Sequence, residues 1–154
     1  MINVITLISF SLIFSGTFSM REGYRKAVDK NISSILGKGE LKHLRTDSGK
    51  EYFSFMSTEG RNTSSVVLSS AKGRFENYDY MIIINSEYEI IDIKILKYRS
   101  EYGYEISNKG WLKQFYNKPG IRFEYRKNID TLSGATFSAQ SLVNDINLII
   151  DNLK

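Results

Sequence analysis

An α+β fold is predicted by this sequence: an antiparallel β-sheet packed with an N-terminal helix, a short middle helix and a C-terminal helix. Two segments, residues 22–36 and the stretch from Ala139 onward, carry apolar residues at helical spacing. Between them, from residue 50 to about 96, short runs rich in β-branched and aromatic residues are separated by turn formers. The 154 residues suit one domain with its own core, and 42% apolar with 25% charged residues is the balance of a globular chain.

Residues 2–18 hold no charged side chain, and their apolar core has the length of a secretory h-region, short for a spanning helix. Thr17-Phe18-Ser19 places small residues before Met20, so a cut after Ser19 is expected, although no basic residue precedes the segment. The division read is therefore 1–19, a signal peptide or hydrophobic segment, and 20–154, a single domain. Export to the periplasm or the outer face of the cytoplasmic membrane follows as the expectation. An uncleaved anchor, with membrane association, stays open; Arg21, Arg25 and Lys26 behind it would then argue for a cytoplasmic C-terminal side. A cytoplasmic protein and a buried core segment stay open as well.

Within 22–36, Tyr24, Ala27, Val28, Ile32, Ile35 and Leu36 form the apolar stripe, and Gly37 with Gly39 stops the helix. The strand-like runs are "EYFSFM", "SSVVLSS", "YDYMIIIN" and "EIIDIKIL", with turns at Gly60-Arg61-Asn62, Lys72-Gly73-Arg74 and Asn85-Ser86-Glu87. Residues 78–84 and 89–96 read as a hairpin with Ile91, Ile93 and Ile95 on one face and Asp92 and Lys94 on the other. Ser107-Asn108 then introduces the middle helix with Trp111, Leu112 and Phe115, closed between Asn117 and Gly120. In the last helix Leu142, Ile146, Ile149 and Leu153 point to the core, with Val143 and Ile150 widening the stripe.

Composition excludes several chemistries. The chain has no cysteine, which removes disulfides, thiol catalysis, iron–sulfur ligation and the common zinc sites. One histidine, His43, cannot make a histidine metal cluster, and in Leu41-Lys42-His43-Leu44-Arg45 it reads as a surface residue. No nucleophile–base pair is visible. The net charge of +4 draws anions, but lysines and arginines are mixed with acids and no nucleic-acid motif accompanies them. The densest group, from Lys94 to Arg99, reads as a solvated strand face. An acidic partner or an anionic cofactor stays open. The aromatic fraction of 13% leaves material to wall a pocket for a flat ligand.

One stretch carries chemistry: Asp130-Thr131-Leu132-Ser133-Gly134-Ala135-Thr136, placed where the last helix begins. A helix start leaves amide N–H groups without partners and carries partial positive charge, so it attracts phosphate. Gly134 and Ala135 let a phosphate approach the backbone, while Ser133 and Thr136 add hydroxyls. The plainer role for the same residues is a cap, with Ser133 or Thr136 satisfying the free amides.

This stretch resembles the flavinylation motif of FMN-binding domains, the family that includes the flavin subunits of the Rnf and Na+-translocating NADH:quinone oxidoreductase complexes. The family pattern is Asp, two variable residues, Ser or Thr, then Gly-Ala-Thr, and every fixed position is matched. The resemblance implies covalent FMN on Thr136 through a phosphoester, installed by a flavin transferase that uses FAD and a divalent metal. Asp130, Ser133, Gly134 and Ala135 would be the recognition and phosphate-cradling positions. Upstream, the strands and helix over residues 71–148 resemble the family less specifically, and residues 1–70 match nothing named. Aligned on the turn glycine Gly103, the acid that family members often carry three residues earlier is Ser100 here, with Glu101 displaced by one. The family places this segment near its flavin, so Tyr102, Tyr104 and Trp111 become candidate ring-stacking residues, Trp111 first.

The resemblance implies an electron carrier rather than an enzyme, exchanging electrons with a membrane reductase or another redox partner. A phosphoester tether suits a location where no free flavin pool replaces lost cofactor. The alternative is a non-redox module on the same scaffold that binds a small ligand or a protein, with the motif unmodified.

Overall fold

The computed structural model describes residues 19–60 and 63–154. The hydrophobic segment 2–18 and two residues of the turn expected at Gly60-Arg61-Asn62 lie outside them. Among the described residues no helix is long and apolar enough to cross a membrane.

A single turn of helix, α1 (Met20–Gly23), leads into α2 (Arg25–Leu36). One helix over 22–36 was expected; Tyr24, at φ −114° and ψ 17°, interrupts it. Gly37 ends α2 at φ +79°, a left-handed position that glycine adopts without a Cβ clash. Five strands follow: β1 (Gly39–Asp47), β2 (Lys50–Ser57), β3 (Thr63–Lys72), β4 (Asn77–Asn85) and β5 (Ile90–Lys97). They hydrogen-bond in chain order, and each neighbouring pair is antiparallel. A 3₁₀ turn (Tyr104–Ser107), α3 (Lys109–Leu112) with a 3₁₀ extension (Lys113–Phe115), and α4 (Thr136–Leu153) complete the chain. The fold is α+β, an antiparallel sheet with N-terminal, short middle and C-terminal helices.

Strand periodicity of two sends alternate side chains to opposite faces, and both faces of this sheet are covered. Tyr78, Tyr80, Ile82 and Ile84 of β4 pack with Leu142, Val143, Ile146 and Ile149 of α4. Met81 and Ile83 of the same strand pack instead with Val28 and Ile32 of α2, beside Phe53, Phe55, Val66 and Leu68. Burial on both sides explains why β4 reads as an unbroken apolar run rather than an alternating one.

Three further expectations change. β1 was not foreseen as a strand: all but one of its nine residues are exposed, so no apolar alternation marks it. His43 lies there, exposed, with its ring edge-on to Phe53. The hairpin has the expected partners, but β5 bulges where the register shifts opposite Ile83 and Ile84. Ile90 and Ile93 therefore enter the α4-side core with Ile95 against it, while Ile91 packs toward α2. Arg99, read as part of a solvated face, pairs with the buried Asp79.

Candidate functional site

The site is built by three connections that topology brings together beside the start of α4. They are the turn between β3 and β4, the segment leaving β5, and the loop entering α4. Arg74 comes from the first, Tyr102 and Gly103 from the second, and Gly134, Ala135, Thr136, Phe137, Ser138 and Gln140 from the third. Together they line a cleft of about 470 Å³, within the range of small-molecule and cofactor sites.

The loop entering α4 is fixed by its backbone. The Asp130 N–H donates to Gln114 Oε1 at 2.9 Å, its carbonyl accepts from Trp111 Nε1 at 2.8 Å, and the Leu132 N–H donates to the Tyr125 hydroxyl at 3.0 Å. A turn then closes from the Ala135 N–H to the Leu132 carbonyl at 3.2 Å. Gly134 is its third residue at φ +85°, a position that suits glycine. A Cβ there would also lie 2.7 Å from Glu105 Oε1, so any side chain would have to push that carboxylate away.

Helix α4 starts at Thr136 with Ala135 as its N-cap, and no side chain caps it. Among the described residues neither the Ser133 nor the Thr136 hydroxyl bonds to a helix amide, so capping does not explain why they are there. Among the described residues the first helical amides, those of Thr136, Phe137 and Ser138, have no hydrogen-bond acceptor. Thr136 is exposed on the cleft. Ser138 is buried and ties the helix start to the opposite wall. Its carbonyl accepts from the Tyr78 hydroxyl at 2.8 Å and its hydroxyl lies 3.2 Å from that of Tyr98, which donates to the Tyr102 carbonyl at 2.7 Å. Burial, with the charge of Asp145 behind it, holds the Tyr78 phenol well above its ordinary range, so it remains a donor. Gly103 turns at φ +89°, where a Cβ would come within 2.4 Å of the Tyr98 hydroxyl.

The expected residues divide. Thr136, Ala135, Gly134, Tyr102 and Gly103 share the cleft, and Ser133 is exposed at its entrance turn. Asp130 is exposed and acts through its backbone alone. Glu101 is exposed and does not line the cleft, and Tyr104, 66% exposed, stands apart with its ring edge-on to Tyr98. Trp111 is corrected most: only 6% exposed, it packs on Phe115 inside the core and lines no part of the cleft. Its indole N–H needs a buried acceptor, and the Asp130 carbonyl supplies it.

Sequence reasoning missed Arg74, Phe137, Gln140 and Glu105. Phe137 is 55% exposed, out of phase with the core stripe of α4, and Phe75 and Tyr102 form an exposed aromatic pair 6.0 Å apart. An apolar residue outside the helical stripe was the available signal for Phe137. Among the described residues no group of histidine, aspartate or glutamate side chains is arranged to hold a metal. No protein-family model matches the chain, and no curated protein matches it.

Proposed function

We propose that this chain is an extracytoplasmic electron-transfer flavoprotein that carries FMN in phosphoester linkage to Oγ1 of Thr136. One observation carries the reading: an exposed threonine hydroxyl stands at an uncapped helix start, opening on a cleft with aromatic side chains at its rim. The residues present fit the group. Unpaired amides of Thr136, Phe137 and Ser138 suit a phosphate, Gly134 and Ala135 leave it space, and Tyr102 and Phe137 offer apolar walls to a flat ring.

The chain itself does little chemistry. A threonine hydroxyl is a weak nucleophile until a base or metal activates it, and the proposed flavin transferase supplies both. In the attachment the Oγ1–phosphorus bond forms, the bond from that phosphorus to the AMP half of FAD breaks, AMP leaves, and the hydroxyl proton passes to the transferase. The FMN, once attached, supplies the redox chemistry. The protein positions it: hydrogen bonds among Tyr78, Tyr98, Ser138 and Tyr102 hold helix start and facing turn in one geometry. Its partners are the transferase and a membrane reductase or other redox protein.

The Glu105 carboxylate beside Gly134 favours the second reading, an unmodified module, because it already brings negative charge to the turn that enters the helix. Coexpression with a flavin transferase followed by denaturation separates the two. Yellow colour and flavin fluorescence are expected to stay with the wild-type polypeptide and to be lost completely in Thr136→Ala, while Thr131→Ala and Ser138→Ala keep them. A Thr136→Ala chain that stays covalently yellow overturns the site.

A further inference from the structure

Among the described residues that line the cleft, Arg74 is the only side chain with a full charge. It sits in the tight turn between β3 and β4, where the Gly73 N–H bonds to the Glu76 carbonyl at 3.0 Å and a Cβ on Gly73 would lie 2.4 Å from that oxygen. The turn holds little freedom, so the arginine projects from a fixed base. Its guanidinium lies over the Phe75 ring, 5.3 Å from the centroid, and Phe75 leans on Tyr102 across the rim. Among the described residues no carboxylate forms an ion pair with it, whereas Arg21, Arg25, Arg99 and Arg122 each have one. An arginine that lines a cleft with its charge uncommitted is available to whatever occupies that cleft.

Resting on the proposed FMN at Thr136, we propose that Arg74 is a positioning and tuning residue that raises the flavin's reduction potential. Reduction with electrons from a lower-potential dye moves two electrons to the isoalloxazine and takes one proton from water, leaving one net negative charge. The oxidised ring carries none. A cation in the same cleft therefore favours the reduced form over the oxidised one. Glu105 is the opposing charge, but it lies behind Gly134 and does not line the cleft.

The test uses the full chain coexpressed with a flavin transferase and titrated with redox dyes by absorbance. Arg74→Gln should lower the midpoint potential, and Arg74→Lys should restore most of it. Arg122→Gln removes the same charge beside Asp151, fifteen residues along α4 from Thr136 or about 22 Å away, and should leave the potential unchanged. An Arg74→Gln potential equal to wild type, or an equal shift in Arg122→Gln, overturns the inference. So does an Arg74→Gln chain that takes no label, because the arginine then serves attachment. A wild-type chain without covalent flavin overturns the proposed function itself, and is read directly from the denatured protein.

Discussion

Each face of the sheet has an aspartate that ties sheet to helix, half-buried Asp145 on one and buried Asp79 on the other, and the two are held differently. On the face covered by α4, Asp145 belongs to the helix, and the sheet supplies all its partners. Lys50 Nζ reaches Oδ1 at 2.7 Å, and the Ser69 and Tyr80 hydroxyls both donate to Oδ2 at 2.6 Å. On the face covered by α2 the arrangement is reversed: Asp79 belongs to β4, Arg99 pairs with it, and the helical side contributes one phenol, Tyr24, donating at 2.5 Å. The α4 core also draws on α3 and the loops between, whereas the α2 core takes only Val28 and Ile32 as fully buried helix residues. The helix whose first residues make the site is thus fastened by a salt bridge and the larger apolar core. The N-terminal helices rest on fewer buried apolar residues and on two sheet carboxylates, Asp79 through the Tyr24 hydroxyl and Glu51 through the Met20 and Arg21 N–H groups. A site that must fix a hydroxyl, a turn and a helix start in one geometry needs the firmer attachment.

The sharpest way to break this comparison is to cut each polar fastening. Asp145→Ala leaves Lys50 buried without its partner, and losing one member of a buried pair costs about 4 kcal/mol. Tyr24→Phe removes one hydrogen bond to a charged group and should cost about 1.5 kcal/mol. Urea unfolding measures both, and a Tyr24→Phe loss as large as that of Asp145→Ala would place the two helices on equal footing. The same contrast holds for packing. Ile146→Ala, at a site with no solvent exposure beneath α4, is expected to lose about 4 kcal/mol, and Ile32→Ala, near the open side of α2, about 2.5 kcal/mol.

Much of this architecture was legible in the residues. The apolar runs and their turn triplets marked β2 to β5, and the stripe from Leu142 to Leu153 marked the core face of α4. β1 was hidden because an exposed edge strand needs no apolar period, and the β5 bulge was hidden because an inserted residue changes facing without changing composition. For the site, the motif named Thr136 and its approach, and Gly103 marked the facing turn. Arg74 and Phe137 were missed for a common reason. Each joins the cleft through tertiary convergence of separate connections, which no local spacing encodes. Trp111 was misplaced because a large aromatic near a site serves core or ligand equally well until its burial is known.

Acid tests the Asp79 fastening on the α2 face. Burial alone would push the Asp79 carboxyl up, but the hydrogen bonds from Arg99 and Tyr24 and the arginine's charge outweigh it and hold it below its ordinary value. A folded-state value below the unfolded one means stability that is fully present above the unfolded carboxylate range and is lost as pH falls through the folded value. Arg99→Gln should therefore cost about 2 kcal/mol near neutrality, and its deficit against wild type should shrink as pH falls through the acid range. At the alkaline end burial, with Asp79 beside it, raises Tyr24 to about 12. Its contribution is present below the ordinary tyrosine value and fades as pH rises toward 12. Thermal unfolding against pH in wild type and Arg99→Gln measures the first effect, and a deficit that grows in acid contradicts the assignment.

The smallest effect separates core from site on the α4 face itself. Trp111 and Tyr102 are both aromatic and both come from the segment after β5, yet one is 6% exposed and the other 66%. Trp111→Phe keeps an aromatic ring in the core beside Phe115 and loses the bond to the Asp130 carbonyl, a cost of about 1 kcal/mol. Because Gln114 and Tyr125 still hold the loop backbone on either side, Thr136 should keep its position. Flavin attachment and the absorbance spectrum of the labelled chain are then unchanged in Trp111→Phe. Tyr102→Ala should do the opposite, leaving unfolding free energy within about 0.5 kcal/mol of wild type, as surface substitutions usually do, while shifting the flavin spectrum. If the spectrum follows Trp111 and ignores Tyr102, the ring lies against the core side of the helix start, and the cleft between Arg74 and Phe137 is not its seat.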